Sequence, residues 1–338
     1  MKKIGLLLAL LGALAACAVP ADEVTAALAP GQDARLTLYT SHKQAVYGPI
    51  VKEFQEETGI WVEVITGGTN ELLERIAAEA GQPVCDVMFG GGVESLCAYE
   101  SCFEPYACAG ADRLREGLRP EGDAWTPFSS LPLVFIYNPK LVEPDQLTGW
   151  ADLIDPRWKG KIAFADPTVS GSSYTAALTL LSCLPGDDWE LLEQFAANLD
   201  GDILADSGDV VGAVANGSRY LGVTLEETAL KGLGQGAEIA VFLPTEGTSA
   251  VPDGSALVAG APHAENAKAF LEFVQSRDVQ ELVVSQFSRR SVRTDVHDPD
   301  SLPPVEELDV IDYDVHWAAG LKEEFTARWL ALCGEERA

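Results

Sequence analysis

Hydrophobic and polar positions over residues 35–89 alternate between two periods. The stretch Arg35–Thr40 alternates as a β-strand does, and from Gln44–Thr58 the apolar residues recur at helical spacing. A second strand over 61–65, a helix over 71–80 and a third strand over 84–89 follow. This β-α-β-α-β order predicts a parallel sheet covered by helices.

The later part of the chain repeats this rhythm. Strands are predicted over 133–138, 220–224, 239–243 and 255–258, and helices over 174–181, 189–198, 210–216, 264–275, 279–286 and 315–332. We predict an α/β fold of two lobes, each a mostly parallel sheet with helices on both faces. The first lobe would comprise 34–135 and 250–338, and the second 136–249. Extended segments near 133–138 and 241–258 would form two hinge strands, on which the lobes could close around a ligand.

The amino terminus has the layout of a secretory signal. Lys2 and Lys3 precede an apolar run over 4–13, which is shorter than the roughly 20 residues that span a bilayer. The triplet over 14–16 before Cys17 resembles a bacterial lipobox. That resemblance implies a signal peptide over 1–17, a lipid on Cys17 that anchors the protein to the membrane, and a flexible tether over 18–33. A simple secretory signal is the alternative.

Charge and motif content exclude several functions. With 52 acidic and 23 basic residues, the formal charge is −29, so the surface would repel nucleic acid. The sequence has no GxSxG elbow, HExxH motif, P-loop or GxGxxG after a strand. We therefore expect no enzyme and no cofactor. A hydrolase that uses Ser41 and His42, and a purely structural surface lipoprotein, are the rival classes.

Six cysteines lie after Cys17. Three of them fall within a dozen residues, and an exported chain can form disulfides, so one or two bridges are expected there. Their C-x4-C-x5-C spacing matches neither common zinc sites nor ferredoxins, and we therefore expect no metal site. The pairing stays open. The six are Cys85, Cys97, Cys102, Cys108, Cys183 and Cys333.

Several short segments, in this order and spacing, resemble the extracellular solute-binding proteins that include ferric-iron, phosphonate and hexose-phosphate binders. The resemblance implies a hinged, extracytoplasmic and monomeric binding protein that delivers its cargo to an ABC permease, without catalysis. The segments are LYTSH over 38–42, FQEETGI over 54–60, WVEV over 61–64, LLERI over 72–76, DVMFGG over 86–91, WKGKI over 158–162 and LGVTLE over 221–226.

A candidate anion site lies at the start of the helix predicted over 174–181. Ser170, Gly171, Ser172 and Ser173 occupy this position, where unbonded N–H groups and the positive end of the helix dipole favour an anion. Ordinary N-capping by a serine is the alternative.

Other candidate ligand contacts lie in the loops that follow strands. Ser41 and His42 follow the first strand, at the edge where open α/β sheets bind ligands. Gly68 and Thr69 lie in a similar loop before a helix, and Gly91 ends a later strand. Capping and ordinary glycine turns are the alternatives for these positions.

Residues after the Leu221–Thr224 stretch could contact the rest of the ligand. Glu226 could accept hydrogen bonds from sugar hydroxyls or pair with an ammonium group, although a solvated acidic pair with Glu227 is equally compatible with the sequence. One of Arg289, Arg290 and Arg293 could reach the cleft, because arginine suits bidentate phosphate recognition.

The predicted ligand is a small anionic organophosphate or phosphonate, with ferric iron as the alternative. The ferric-iron relatives use a histidine in the first loop and two adjacent tyrosines. His42 matches the first position, but the later stretch over 217–222 contains only Tyr220. Direct chelation of iron is therefore the weaker reading.

Overall fold

The computed structural model describes residues 30–119, 122, 124–298, 302 and 308–334. The predicted signal peptide with Cys17, and most of the tether, lie outside these residues. Within the described part, the strands are β1 Arg35–Thr40, β2 Trp61–Thr66, β3 Val87–Gly92, β4 Phe103–Glu104, β5 Thr126–Tyr137, β6 Ile162–Ala163, β7 Leu221–Leu225, β8 Ala240–Phe242, β9 Ala250–Val258 and β10 Arg290–Ser291.

The α-helices of the same described part are α1 Gln44–Thr58, α2 Thr69–Ala78, α3 Val93–Ala98, α4 Gly171–Cys183, α5 Asp188–Leu199, α6 Asp209–Ala215, α7 Glu226–Gly234, α8 Ala264–Val274, α9 Arg277–Phe287 and α10 Val315–Cys333. The elements α3, α7, β4, β6 and β10 were not predicted. All of these except α7 are too short for a periodicity to be recognised.

Local sequence explains the first helix. Val46, Ile50 and Phe54 lie one turn apart and are buried, so they attach α1 to the sheet. Gly59 ends the helix in the left-handed conformation, with φ +72°, and its N–H donates to Gln55 O.

One continuous sheet runs through the molecule in the order β2-β1-β3-β9-β5-β7-β6. Strand β1 is parallel to β2 and β3, but β9 is antiparallel to β3, and β5 is antiparallel to both β9 and β7. The two-lobed α/β architecture is therefore confirmed, while the prediction of mostly parallel sheets needs correction. The sheets are mixed because the crossover strands run against their neighbours.

Strand β5 connects the lobes. Its residues 126–132 pair with β9, and residues 133–137 pair with β7 and β8 on the other side of the crossover. The chain returns to the first lobe at the start of β9. Both crossovers coincide with extended segments found in the sequence pattern, which supports the hinge interpretation.

Each lobe has its own hydrophobic core. Phe54, Phe89 and Phe270 belong to the core of the first lobe, and Phe135 and Phe164 belong to that of the second. Helix α10 lies in the segment predicted for the first lobe, yet its buried residues join the core of the second. These residues are Ala318, Phe325 and Trp329.

Two further findings concern the described residues. None of their helices combines the length and the apolar composition required to cross a bilayer. No disulfide joins the described cysteines, so the expected bridges are wrong. The thiols make other contacts instead: Cys85 Sγ lies 3.2 Å from Val87 O, and Cys97 Sγ accepts a hydrogen bond from Trp125 Nε1 at 3.3 Å.

Candidate functional site

A cavity of about 1050 Å³ lies between the lobes and is lined by residues of both. Most of the residues predicted to bind ligand line this cavity. They are Ser41, His42, Gly68, Thr69, Gly91, Ser170, Gly171 and Ser172. Ser173 and Glu226 are not among the described lining residues.

The amino termini of α2 and α4 meet at the cavity wall from opposite lobes. A Cβ atom on Gly171 would lie 3.1 Å from Thr69 Oγ1, and Asn70 Nδ2 donates to Thr168 O at 2.6 Å. The first N–H groups of a helix have no partner within the helix, so both helix starts offer donors to the cavity. The two lobes are therefore in contact around the cavity.

Ser170 is both the cap of a helix and a residue of the cavity wall. Ser170 is the N-cap of α4, and its Oγ accepts from Ser173 N at 3.3 Å and lies 3.2 Å from Ser172 Oγ. The side chain of Ser173 is buried away from the cavity lining. The prediction for Ser173 is therefore corrected, because the helical turn directs it into the protein.

His42 is a buried, neutral member of the cavity wall. Its ring packs against Phe89 and Phe128, with centroids 4.5 and 5.4 Å away. Burial, followed by the charge of Arg289, holds the pKa of His42 well below its usual range. Nε2 is buried, lies 3.4 Å from Asp253 Oδ2, and completes no hydrogen bond with a described atom.

Glu226 has a structural contact instead of a place in the cavity. Its carboxylate accepts two hydrogen bonds from the buried side chain of Arg290, at 2.8 and 3.0 Å. The neighbouring Glu227 lines the cavity and lies 3.4 Å from Arg289. Successive residues of a helix point about 100° apart, so only one of the pair can face the ligand.

Arg289 is the member of the arginine run that reaches the cavity. Its Nη1 donates to Asp253 Oδ2 at 2.8 Å and to Ser129 Oγ at 3.2 Å. Burial raises the pKa of Asp253, although Arg289 opposes this shift. The sequence analysis missed Asp253, whose signal was a single carboxylate within an otherwise largely apolar strand.

Charges of both signs line the cavity. Among the described residues, the cations are Lys43, Lys231 and Arg289, and the anions are Asp206, Glu227 and Asp253. Lys43 Nζ and Asp206 Oδ2 form an exposed ion pair of 2.7 Å that joins the two lobes. The cavity wall is therefore formally neutral within a chain of charge −29.

The described residues hold few ligands for a metal ion. Tyr47 lines the cavity. Tyr220 precedes β7, and the Lys161 ammonium group lies 5.3 Å from the centroid of the Tyr220 ring. No group of three or more His, Cys, Asp or Glu residues in the described part could hold a metal ion.

Curated relatives are similar in sequence over most of their length. Iron uptake protein A1 of Synechocystis is 29% identical over 271 residues, which cover 74% of each chain. A putative 2-aminoethylphosphonate-binding periplasmic protein of Salmonella typhimurium is 26% identical over 257 residues, covering 72% of this chain and 73% of that one.

Solved structures confirm the fold. The periplasmic binding protein AfuA of Actinobacillus pleuropneumoniae, with fructose-6-phosphate bound, superimposes with a TM-score of 0.81 at 23% identity, covering 89% of this chain and 98% of AfuA. Iron-bound HitA of Pseudomonas aeruginosa gives 0.76 at 22% identity, covering 88% and 99%. Residues 84–316 match the model of the family described as bacterial extracellular solute-binding protein. This chain therefore belongs to the family of bacterial extracellular solute-binding proteins.

Proposed function

We propose that this protein binds a small anionic organophosphate or phosphonate between its lobes and delivers it to the permease of an ABC importer. The observation that carries the proposal is the meeting of two helix starts, α2 and α4, at the wall of the interlobe cavity. Their N–H groups and the hydroxyls of Thr69 and Ser172 would hold the anion. Catalysis has no part in this proposal.

Two further features support an anion at this position. Gly68 and Gly171 let the two helix starts approach each other closely, since a Cβ atom there would meet Val169 O or Thr69 Oγ1. Arg289 lines the same cavity and is held in place by Asp253. A phosphate ester carries a charge between −1.5 and −2 at pH 7, which suits such donors.

Ferric iron is the second candidate, because one similar relative is an iron uptake protein. Fe(III) prefers anionic oxygen ligands, and several such groups would have to converge on it. The carboxylates of the described cavity wall are those of Asp206, Glu227 and Asp253. Asp206 is paired with Lys43, and both other carboxylates contact Arg289. This arrangement favours an organic anion over a bare ferric ion.

Location and anchoring complete the proposal. Some of the relatives, such as the Salmonella protein, are named as periplasmic proteins, in agreement with a position outside the cytoplasm. We propose that Cys17 carries a lipid and that the two-lobed domain acts as a monomer on a tether. Mass spectrometry of the amino-terminal peptide from membranes tests the lipid, and an unmodified peptide that begins elsewhere would contradict it.

The test of ligand class uses purified protein freed of carried-over ligand. Its melting temperature is recorded with hexose phosphates, phosphoglycerates, 2-aminoethylphosphonate, inorganic phosphate and ferric citrate. A ligand at about 100 times its Kd adds roughly 2.7 kcal/mol, which raises the melting temperature by several degrees. A shift with an organophosphate or phosphonate supports the proposal, and a shift with ferric citrate alone refutes it.

The position of the anion is tested with two variants that add the same negative charge at different places. Ser172→Asp puts a carboxylate at the start of α4, and repulsion should abolish anion binding. Ser285→Asp adds the same charge at an exposed position of α9 and should leave binding unchanged. Equal affinity of the two variants would show that the anion lies elsewhere.

A further inference from the structure

Directly behind the cavity wall lies a buried cluster of polar side chains from three helices. It comprises Glu94 and Ser95 of α3, Tyr174 and Thr175 of α4, and Lys322 of α10, each at most 9% exposed. We name it the buried cluster. None of these residues was recognised in the sequence, and of the five only Thr175 lines the cavity.

Glu94 connects the first lobe to the helix that would bind the anion. The Thr175 hydroxyl donates to Glu94 Oε1 and lies 3.1 Å from Gly171 O, one turn earlier in α4. The other carboxylate oxygen lies against Gly92, where an added Cβ would be 2.5 Å away. Since Gly92 and Thr175 both line the cavity, the carboxylate lies immediately behind the wall.

Lys322 brings the carboxyl-terminal helix to the same place. Its Nζ donates to Ser95 Oγ at 2.8 Å and lies 4.0 Å from the ring centroid of Tyr174. Phe325 and Trp329 of the same helix are buried in the core of the second lobe. Helix α10 therefore contacts both lobes, and its buried cation lies where they meet.

Burial sets the charge of the buried cluster. The titratable groups that act on Lys322 and its neighbours are Glu94, Glu74, Tyr174 and Tyr313. Burial raises the pKa of Glu94 and of both tyrosines, so the tyrosines stay neutral. Burial lowers the pKa of Lys322 to about 8, although Glu94 and Glu74 oppose this shift. The cluster consequently loses positive charge as the pH rises through about 8.

We propose that Glu94 is a positioning residue that holds the α4 anion site through Thr175, and that the charge of Lys322 makes anion affinity depend on pH. This inference rests on the proposed function. The cation attracts a bound phosphate from behind the wall, and this attraction is lost when Lys322 loses its proton. Affinity should therefore fall as the pH rises.

The experiment measures the Kd of the organophosphate or phosphonate that gives the largest thermal shift, by calorimetry at pH 7.5 and pH 9.0. With a second phosphate pKa near 6, the ligand charge is nearly constant over this range. We expect the affinity of the unaltered protein to fall about threefold to tenfold, because one positive charge is lost behind the cavity wall. Lys322→Met should remove most of this fall, and Lys52→Met, at an exposed site of α1, should not.

Variants of the Glu94 contact test positioning separately. Glu94→Gln keeps an oxygen that accepts from Thr175 and should retain affinity at pH 7.5. Thr175→Val removes the hydroxyl with little change in shape and should weaken binding at both pH values. Glu94→Leu should behave like Thr175→Val, and Thr175→Val remains informative if Glu94→Leu does not fold.

The outcomes separate the inference from the proposed function. A Kd that is equal at both pH values, or a fall that persists in Lys322→Met, overturns the role of Lys322. Full affinity in Thr175→Val overturns the positioning role of Glu94. If no organophosphate or phosphonate binds the unaltered protein at pH 7.5, the proposed function fails, and the inference fails with it.

Discussion

Glu226 and Arg290 form a buried ion pair with two hydrogen bonds, of 2.8 and 3.0 Å, and this pair joins α7 of the second lobe to β10 of the first. Arg290 is 1% exposed, and its Nη1 also lies 3.5 Å from Asp298 Oδ2. A buried pair of this kind is weak evidence for stability in itself, because both charges lose water when they are buried. Loss of one partner, however, leaves an uncompensated charge inside the protein.

The first prediction concerns this pair. Arg290→Met should lower the free energy of unfolding by about 3–5 kcal/mol, because Glu226 is left buried without its cation. The double variant with Glu226→Gln should lose less than the sum of the single variants. Urea denaturation measures both, and Lys52→Met, which breaks the exposed pair with Glu56, serves as the control with a change of at most about 1 kcal/mol. Additive losses would show that the pair is not coupled.

The second prediction concerns the negative charge of Glu227 in the cavity wall. Glu227→Gln removes a negative charge from the cavity wall, so affinity for inorganic phosphate should rise about threefold to tenfold. Glu63→Gln removes the same charge from an exposed position of β2 and should have little effect. Calorimetric titration with phosphate compares the two. Weaker phosphate binding in Glu227→Gln would contradict the electrostatic reason.

The third prediction concerns a glycine at the cavity edge. Gly91 has φ +95°, and a Cβ there would lie 2.5 Å from Thr69 Cγ2. Gly91→Ala should therefore cost about 1–3 kcal/mol of stability and weaken anion binding, because Thr69 at the start of α2 is displaced. Thermal unfolding and ligand titration measure the two effects.

Gly81→Ala is the matched control for this change. No atom lies within 4 Å of a Cβ built on Gly81, and its backbone does not require a glycine. Its effect should stay within about 0.5 kcal/mol. Equal stability of both variants would mean that Thr69 can move aside at no cost.

The fourth prediction follows from the sign of the Lys322 shift. Its pKa of about 8 lies below the ordinary value near 10.4, so between these values the folded protein binds fewer protons than the unfolded chain. This lysine therefore makes folding less favourable below pH 8, and the cost disappears as the pH rises toward 10.4. The cost below pH 8 is about 3 kcal/mol.

Lys322→Met should remove this dependence. Relative to the unaltered protein, the free energy of unfolding of the variant should therefore fall by about 3 kcal/mol between pH 7 and pH 10, because only the unaltered protein is stabilised by that rise in pH. The absolute gain at pH 7 is smaller, because Ser95 loses its hydrogen bond. Denaturant titrations at both pH values measure the difference. A difference that does not change with pH would mean that Lys322 is not buried as a cation.

Much of the local structure was predictable from the chain. The spacing of Val46, Ile50 and Phe54 and the terminal Gly59 predicted α1 with the bounds that the structure has. The alternation over 35–40 predicted β1, and the extended segments around 133 and 250 predicted the two crossovers. These features depend on contacts between residues close in sequence and on the period of burial, which a single sequence displays directly.

The candidate site was predictable in part. Loops that end strands or begin helices contributed Ser41, Gly68, Thr69, Gly171 and Ser172 to the cavity, because helix starts and strand ends in α/β folds collect at the same edge of the sheet. Contrary to the prediction, Ser173 and Glu226 do not line the cavity. Each lies beside a lining residue in the sequence, but the turn of its helix buries the side chain of Ser173 and directs Glu226 to Arg290.

The sequence by itself determined most of the helices, the crossovers, the family resemblance and the helix starts that would receive an anion. Only the tertiary structure decided that Arg289 rather than Arg290 lines the cavity, and that α10 brings Lys322 to Ser95, the neighbour of Glu94. The physical reason is that these contacts join residues tens to hundreds of positions apart. Their charges and distances exist only after the lobes have packed together.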